Sequence, residues 1–233
     1  MGRPGAIFLD AVGTLFGVRG SVGQIYSECA RSVGANIPPE ALQKAFVHCF
    51  AVSPPLAFPG LTAAEIPAAE YAYWYHLTEQ TFALAGGLSQ IGDFAAFFPL
   101  VYDRFATAAA WELYPDVLPA LQTWHRRGIP VGVISNFDSR LHAVLEALGL
   151  CPWIQAVTIS SQVGAAKPQA AIFQAAWQAL GQPEPPIWHI GDSWQADVLG
   201  AQAVGWRGIH LCREGPAGAP DWVATLTAVA VEG

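Results

Sequence analysis

Ala6-Ile7-Phe8-Leu9-Asp10-Ala11-Val12-Gly13-Thr14-Leu15 is the stretch on which the reading of the chain turns. Four apolar residues in succession, followed by a small flexible turn, describe a short strand buried on both faces. Asp10 stands at the tip of that strand. A carboxylate there is desolvated unless a cation, a ligand or backbone donors compensate it, which marks the position as a candidate site. Read alone, it would equally suit a turn or a helix cap.

Working outward, short β-branched runs alternate with helical patterns from Val117 onward. That alternation is the signature of βαβ units and a parallel sheet. Strands are expected at residues 129–135, 156–160, 187–190 and 208–211, with helices at 116–127, 139–148, 168–180 and 194–204. Asp138 or Ser139 suits an N-cap, Pro168 a first helical position, and Gly128, Gly149 and Gly181 the residues just past helix ends. Residues 6–9 then form one more strand of the same sheet, and the fold class is α/β with a doubly wound, Rossmann-like parallel sheet. Between the first strand and the rest lies a stretch of different texture, with helices expected at 22–33, 39–50, 63–85 and 94–109 and loops at 53–60 and 86–92. Tyr71, Trp74, Tyr75, Thr78 and Phe82 recur at three- and four-residue steps, so they share one helix face, and packing within a helical bundle is the expected use of that face.

The bulk numbers bound the function. With 233 residues, 53% of them apolar, the chain suits one large domain or a core plus an appendage. A net charge of −7, only eleven basic residues and no basic run argue against nucleic acid or an anionic membrane surface as partner. Cys29, Cys49, Cys151 and Cys212 are scattered and read as free thiols of a reducing compartment. The chain enters its first strand without a signal-peptide pattern, and no apolar stretch reaches the ~18 residues needed to cross a bilayer, so a cytoplasmic protein is expected.

Ligands of open parallel sheets bind outside the carboxyl ends of the strands. Four polar features fall there: Asp10 with Gly13 and Thr14; Ser135-Asn136; Lys167-Pro168; and Gly191-Asp192-Ser193 with Asp197. An Asp can attack phosphorus and split one hard displacement into two easier steps. A hydroxyl with nearby amides can hold phosphoryl oxygens, and a Lys head can balance the charge. Lys167 is one of only two lysines in the chain, the other being Lys44. Asp10 and Asp192, brought to adjacent strand ends, would repel each other unless a cation such as Mg²⁺ lay between them.

Asp10-Ala11-Val12-Gly13-Thr14 resembles the D-x-D-G-T first motif of the haloacid dehalogenase-like hydrolases, with Val12 where the second Asp usually stands. Ser135 is similar to the Ser or Thr of the family's second motif, Lys167 to the family's Lys, and Gly191-Asp192 with Asp197 to its G-D-x-x-x-x-D fourth motif. The helical stretch resembles the small cap placed after the first motif. The resemblance implies a core domain of residues 1–16 plus 112–233 and an α-helical cap domain of residues 17–111. It also implies a hydrolase of a small phosphorylated metabolite, working through an aspartyl-phosphate on Asp10, with Lys167 as second catalytic residue. Thr14, Ser135 and Asn136 would bind the substrate phosphate, Asp10, Asp192 and the Val12 carbonyl would hold Mg²⁺, and Asp197 would support them. A small-molecule partner is expected, and monomer and homodimer stay equally open.

Val12 changes the expectation. In the phosphatases of this family the second Asp protonates the leaving alkoxide and then deprotonates the attacking water, help worth about 10²–10⁴-fold. Without it, the leaving group is a good one (an acyl phosphate, for example), or another residue supplies the proton, or the fold binds without turnover. The family's 2-haloacid dehalogenases also lack this Asp. Against that alternative stand the metal-type Gly191-Asp192 pair and the want of a cap Arg, for which Arg19 and Arg31 are candidates only by being basic. Phosphonate-cleaving members use a cap Lys, and Lys44 has no context for that role. His48 and His76 read as packed or solvated and His189 as a core hydrogen-bonding residue. Gly17-Val18-Arg19-Gly20 reads as a hinge that could bring Arg19 to the substrate.

Overall fold

The computed structural model describes residues 2–213, 215 and 221–231. Its sheet has six parallel strands in the order β5-β4-β1-β6-β7-β8. These are β1 (Ala6–Leu9), β4 (Val131–Ser135), β5 (Ala156–Ile159), β6 (Ile187–Gly191), β7 (Arg207–Leu211) and β8 (Trp222–Val223). β1, β4 and β6 are buried along their whole length, which is why they read as continuous apolar runs. Successive side chains point to opposite faces. Ile7 and Leu9 pack with Val117, Leu121, Leu141 and Leu145, whereas Ala6 and Phe8 pack with Ile172, Phe173 and Ala176. Helices α5 (Val117–Arg126) and α6 (Leu141–Ala147) therefore cover one face, and α8 (Ala170–Ala179) and α9 (Gly200–Ala203) the other.

Register is what builds the site. Leu9 lies opposite both Val133 of β4 and Ile190 of β6, so Asp10, Ser135 and Gly191 emerge side by side at one edge. The chain departs from β1 in both directions across the sheet, and the strand order reverses at this place, where α/β folds bind ligands.

Helix starts differ from the sequence reading. α6 begins at Leu141, after Asp138 has turned its carboxylate to Arg140, and no side chain caps it. Pro168 lies two residues before α8, because Gln169 is extended and the helix starts at Ala170. Gly128, Gly149 and Gly181 do follow their helices with positive φ. The segment expected as one helix over 194–204 is a π-helical turn, Trp194–Leu199, running into α9, with Val198 N–H donating to Ser193 O five residues back. Such turns cluster at functional sites.

The insertion holds α1 (Val22–Ser32), α2 (Pro39–Val52), α3 (Ile66–Leu84) and α4 (Phe94–Arg104) around Tyr26, Phe82, Phe94, Phe97 and Phe98. The chain leaves and re-enters the sheet domain through an antiparallel ribbon of β2 (Phe16–Val18) and β3 (Trp111–Leu113). Part of the expected hinge is thus paired strand, Gly17 opposite Glu112 and Val18 opposite Trp111. Hydrogen bonds seat the insertion on the sheet domain. Glu70 of α3, fully buried, accepts from Ser139 N–H at 2.9 Å, from the Ser139 hydroxyl and from Ser161 Oγ at 2.5 Å. Ser160 Oγ donates to Leu56 O at 2.5 Å. Among the described residues no helix is long and apolar enough to cross a membrane, and the four cysteines are free.

Candidate active site

Lys167 is the centre of the arrangement. The residue is 5% exposed, and its ammonium donates to three acceptors: Asp10 Oδ1 at 2.7 Å, Asp197 Oδ1 at 2.6 Å and Ile134 O at 2.8 Å. Its three protons are therefore all placed. The backbone of Lys167 is gripped in turn by Asn136, whose Oδ1 accepts from Lys167 N–H at 2.8 Å and whose Nδ2 donates to Lys167 O at 3.0 Å. Asn136 lies on the cavity wall, but its amide is committed to positioning Lys167. The expectation placed it among the substrate ligands; the structure shows its amide holding Lys167.

Asp197 projects inward from the π-helical turn. Oδ1 also meets His189 Nε2 at 2.9 Å, and Oδ2 accepts from Ser193 N–H at 3.0 Å. Burial pushes its pKa up, but Lys167 and His189 together outweigh burial and hold the carboxyl well below the usual range. Burial lowers the His189 pKa, which keeps the ring neutral at pH 7. Gly191 makes room for this carboxylate, since a Cβ there would lie 2.2 Å from Asp197 Cγ. Asp10, 7% exposed, has its pKa raised by burial from an ordinary 3.8 to about 6, Lys167 opposing and Asp197 and Asp192 adding to the rise.

The turn after Asp10 is pinned from behind. Arg213 donates to Gly13 O at 3.2 Å, to Thr14 O at 2.6 Å and to Asp116 Oδ1 at 2.8 Å, with its guanidinium 3.8 Å over the Tyr114 ring. Gly13 has φ +89°, and a Cβ on it would come within 2.3 Å of Asp192 Oδ2, so both conformation and space demand glycine. Thr14 is fully buried, lies outside the cavity wall, and its Oγ1 has no hydrogen-bond partner. Its side chain is not brought to the position expected of a phosphate ligand, because the turn directs it into the domain.

Oxygens of Asp10, Asp192 and Asp197 lie within 4.8 Å of one another, facing a single ammonium. Three carboxylates against one cation leave an excess of negative charge that a hard divalent ion relieves, so the donor set fits such an ion. Both Asp197 oxygens are already engaged, which leaves Asp10 and Asp192 as the carboxylates open to it.

Above this cluster is a cavity of about 440 Å³. Asp10, Val12, Ser135, Lys167 and Asp192 line its floor, and α1–α4 supply walls that include Tyr26, Phe50, Trp74 and Tyr102. The aromatic stripe of α3 thus divides: Tyr75 and Phe82 pack inside the bundle, and Trp74 and Thr78 face the cavity. At the seam, Arg140 is clamped by both Asp138 oxygens at 2.7 and 2.8 Å, donates to Tyr102 O at 2.9 Å, and Trp74 Nε1 donates to Asp138 Oδ2 at 2.7 Å. Asp138→Ala strands this guanidinium, so urea denaturation is expected to show a loss of about 3–5 kcal/mol; a loss under ~1 kcal/mol would mean that solvent reaches Arg140. Neither Arg19, which is exposed with its guanidinium on Trp111 O, nor Arg31, bonded to Ser27 O, reaches the cavity. His48, His76 and Lys44 are exposed. Sequence reasoning missed Arg213, Asp116 and the Asp138–Arg140 pair; the last was signalled only by charges directly after the strand ending in Ser135.

Residues 4–205 match a family model described as haloacid dehalogenase-like hydrolase. The chain is 34% identical over 206 residues to haloacid dehalogenase-like hydrolase domain-containing protein 3 of Bos taurus, covering 84% of this chain and 77% of that one. Among solved structures, a HAD phosphatase from Thermococcus onnurineus aligns with TM-score 0.60 and 22% identity over 95% of this chain and 94% of that one. L-2-haloacid dehalogenase from Xanthobacter autotrophicus aligns with TM-score 0.65 and 17% identity over 97% and 100%. The two solved structures agree in fold and differ in reaction, so they speak to architecture. With the family model spanning most of the sequence, the chain belongs to the haloacid dehalogenase-like hydrolases and is an enzyme of that family.

Proposed function

We propose that the protein is a Mg²⁺-dependent phosphatase of a small phosphorylated metabolite, with the helical insertion (residues 17–111) as the cap over a core of residues 1–16 plus 112–233. The observation that carries this reading is the buried Lys167 ammonium bridging Asp10 and Asp197 beside Asp192 on the floor of the cavity. Asp10 is the nucleophile: it lines the cavity, and its Oδ1 is held by Lys167. The carboxylate attacks phosphorus, giving an aspartyl-phosphate, and water then attacks that phosphorus and returns the carboxylate. Ser135 positions the phosphoryl oxygens, and Lys167, fixed by Asn136, offsets their charge. Asp10, Asp192 and the Val12 carbonyl would hold Mg²⁺, which supplies charge neutralisation at the phosphoryl group.

Dehalogenation is disfavoured by the cations on hand. Among the described residues the cavity offers one cation besides Lys167, Arg140, and it is spent on Asp138 and Tyr102 O, leaving no second cation poised for a substrate carboxylate. The test is a panel of phosphate esters, acyl phosphates and 2-haloacids, run with EDTA and with Mg²⁺. Phosphate release that falls by about 10²-fold or more in EDTA and returns with Mg²⁺ is expected. Halide release independent of metal would install the dehalogenase in its place, and silence across all three groups would favour a binding protein.

A further inference from the structure

We propose that the substrate is an aryl phosphate, an apolar ring whose leaving oxygen departs as a phenolate-type anion without a proton from the enzyme; this rests on the phosphatase reading above. Two independent observations converge on it. The first is the cavity wall. Rings of Tyr26, Phe46, Phe50, Trp74, Tyr102 and Trp111 face the space above Asp10. Their polar atoms are largely spent on protein partners: Tyr26 OH is paired with Thr78 Oγ1 at 3.2 Å, Trp74 Nε1 with Asp138 at 2.7 Å and Trp111 Nε1 with Phe105 O at 3.0 Å. A wall of this kind offers ring faces and edges to an aromatic guest, and few donors or acceptors to the hydroxyls of a sugar, whose desolvation would go uncompensated.

The second observation is Val12. Val12 lines the same cavity two residues beyond the nucleophile, and as an apolar residue it brings no proton donor to that place. A phenol ionises near pH ~10, whereas an alkanol holds its proton about as firmly as water, at ~15.7. An aryl ester therefore gains little from an acid that an alkyl ester requires. In the step, an Asp10 oxygen bonds to phosphorus while the phosphorus–aryl oxygen bond breaks, and its electron pair leaves on the aryl oxygen, which takes a proton from solvent. Water then bonds to the same phosphorus, the bond to Asp10 breaks, and phosphate and a proton are released. The apolar wall selects the ring, and the apolar Val12 selects the leaving group.

The experiment compares phenyl phosphate with cyclohexyl phosphate, matched in size and apolarity but not in leaving group, alongside glucose 6-phosphate and acetyl phosphate, with Mg²⁺ present. Wild type is expected to favour phenyl over cyclohexyl phosphate by about 10²-fold or more in kcat, and Val12→Asp to narrow that ratio. Phe50→Ala, at a half-exposed position on the cavity mouth, is expected to raise KM for phenyl phosphate about 5–10-fold while leaving kcat within twofold. Equal turnover of the phenyl and cyclohexyl esters, or preference for glucose 6-phosphate or acetyl phosphate, overturns the aryl assignment and leaves the phosphatase intact. Folded protein that turns over none of the four removes the phosphatase and the aryl assignment together.

Discussion

Val12→Asp is expected to raise kcat/KM for an alkyl phosphate such as cyclohexyl phosphate by about 10²–10⁴-fold, the usual worth of a positioned general acid–base. The position is ready for it. Val12 is half-buried on the cavity floor, its turn is held by the bridge to Phe16 and by Arg213 on Gly13 O and Thr14 O, and Lys167 keeps Asp10 in place independently. An introduced carboxylate adds to the negative cluster of Asp10, Asp192 and Asp197, so the gain should be largest with Mg²⁺ bound and the metal-free variant should melt below wild type. Steady-state rates on a series of alkyl and aryl esters check this. No gain on alkyl esters would mean that the proton comes from elsewhere or is not needed.

Asp10→Asn is expected to abolish phosphatase turnover, by at least about 10³-fold, and to make the protein more stable. Both follow from burial. The folded pKa of Asp10, about 6, lies above the ordinary 3.8, so the folded state resists ionising this carboxyl. Stability contributed by its protonated form is complete below pH 3.8 and is lost as the pH rises through about 6. An amide has no such dependence and still accepts from Lys167, which keeps Asp197 and Ile134 O as its other partners. The variant should match wild type near pH 4 and exceed it by up to about 3 kcal/mol at pH 7 in metal-free buffer. Urea denaturation across that range measures it. A variant less stable than wild type at pH 7 would show that the Asp10–Lys167 attraction dominates burial.

Much of the fold could be read from the chain because its central strands are buried on both faces. β1 falls at residues 6–9 as its apolar run suggests, and β4, β5, β6 and β7 differ from expectation by one or two residues at an end. The β2–β3 ribbon was invisible: each strand has three residues, and each is completed only by a partner on the far side of the insertion. The site divides the same way. Asp10, Ser135 and Asp192 sit at or just past strand ends, where main-chain direction alone brings them together, and Lys167 and Asp197 follow on the segments beyond β5 and β6. Side-chain direction was not legible, which is why Thr14 turns inward and Asn136 grips Lys167. Arg213 on the Gly13-Thr14 turn and Glu70 on Ser139 and Ser161 are pairings between distant segments, and no local spacing announces them. The stripe on α3 was readable as a face, but which of its residues met protein and which the cavity depended on how the insertion sits in three dimensions.

The central claim is that Asp10 carries the phosphoryl group. Quenching the enzyme with borohydride during turnover of phenyl phosphate reduces an aspartyl-phosphate to homoserine, which peptide mass spectrometry locates. Homoserine at position 10, absent without substrate and absent in Asp10→Asn, is the expected result; sustained phosphate release with an unmodified Asp10 would contradict it.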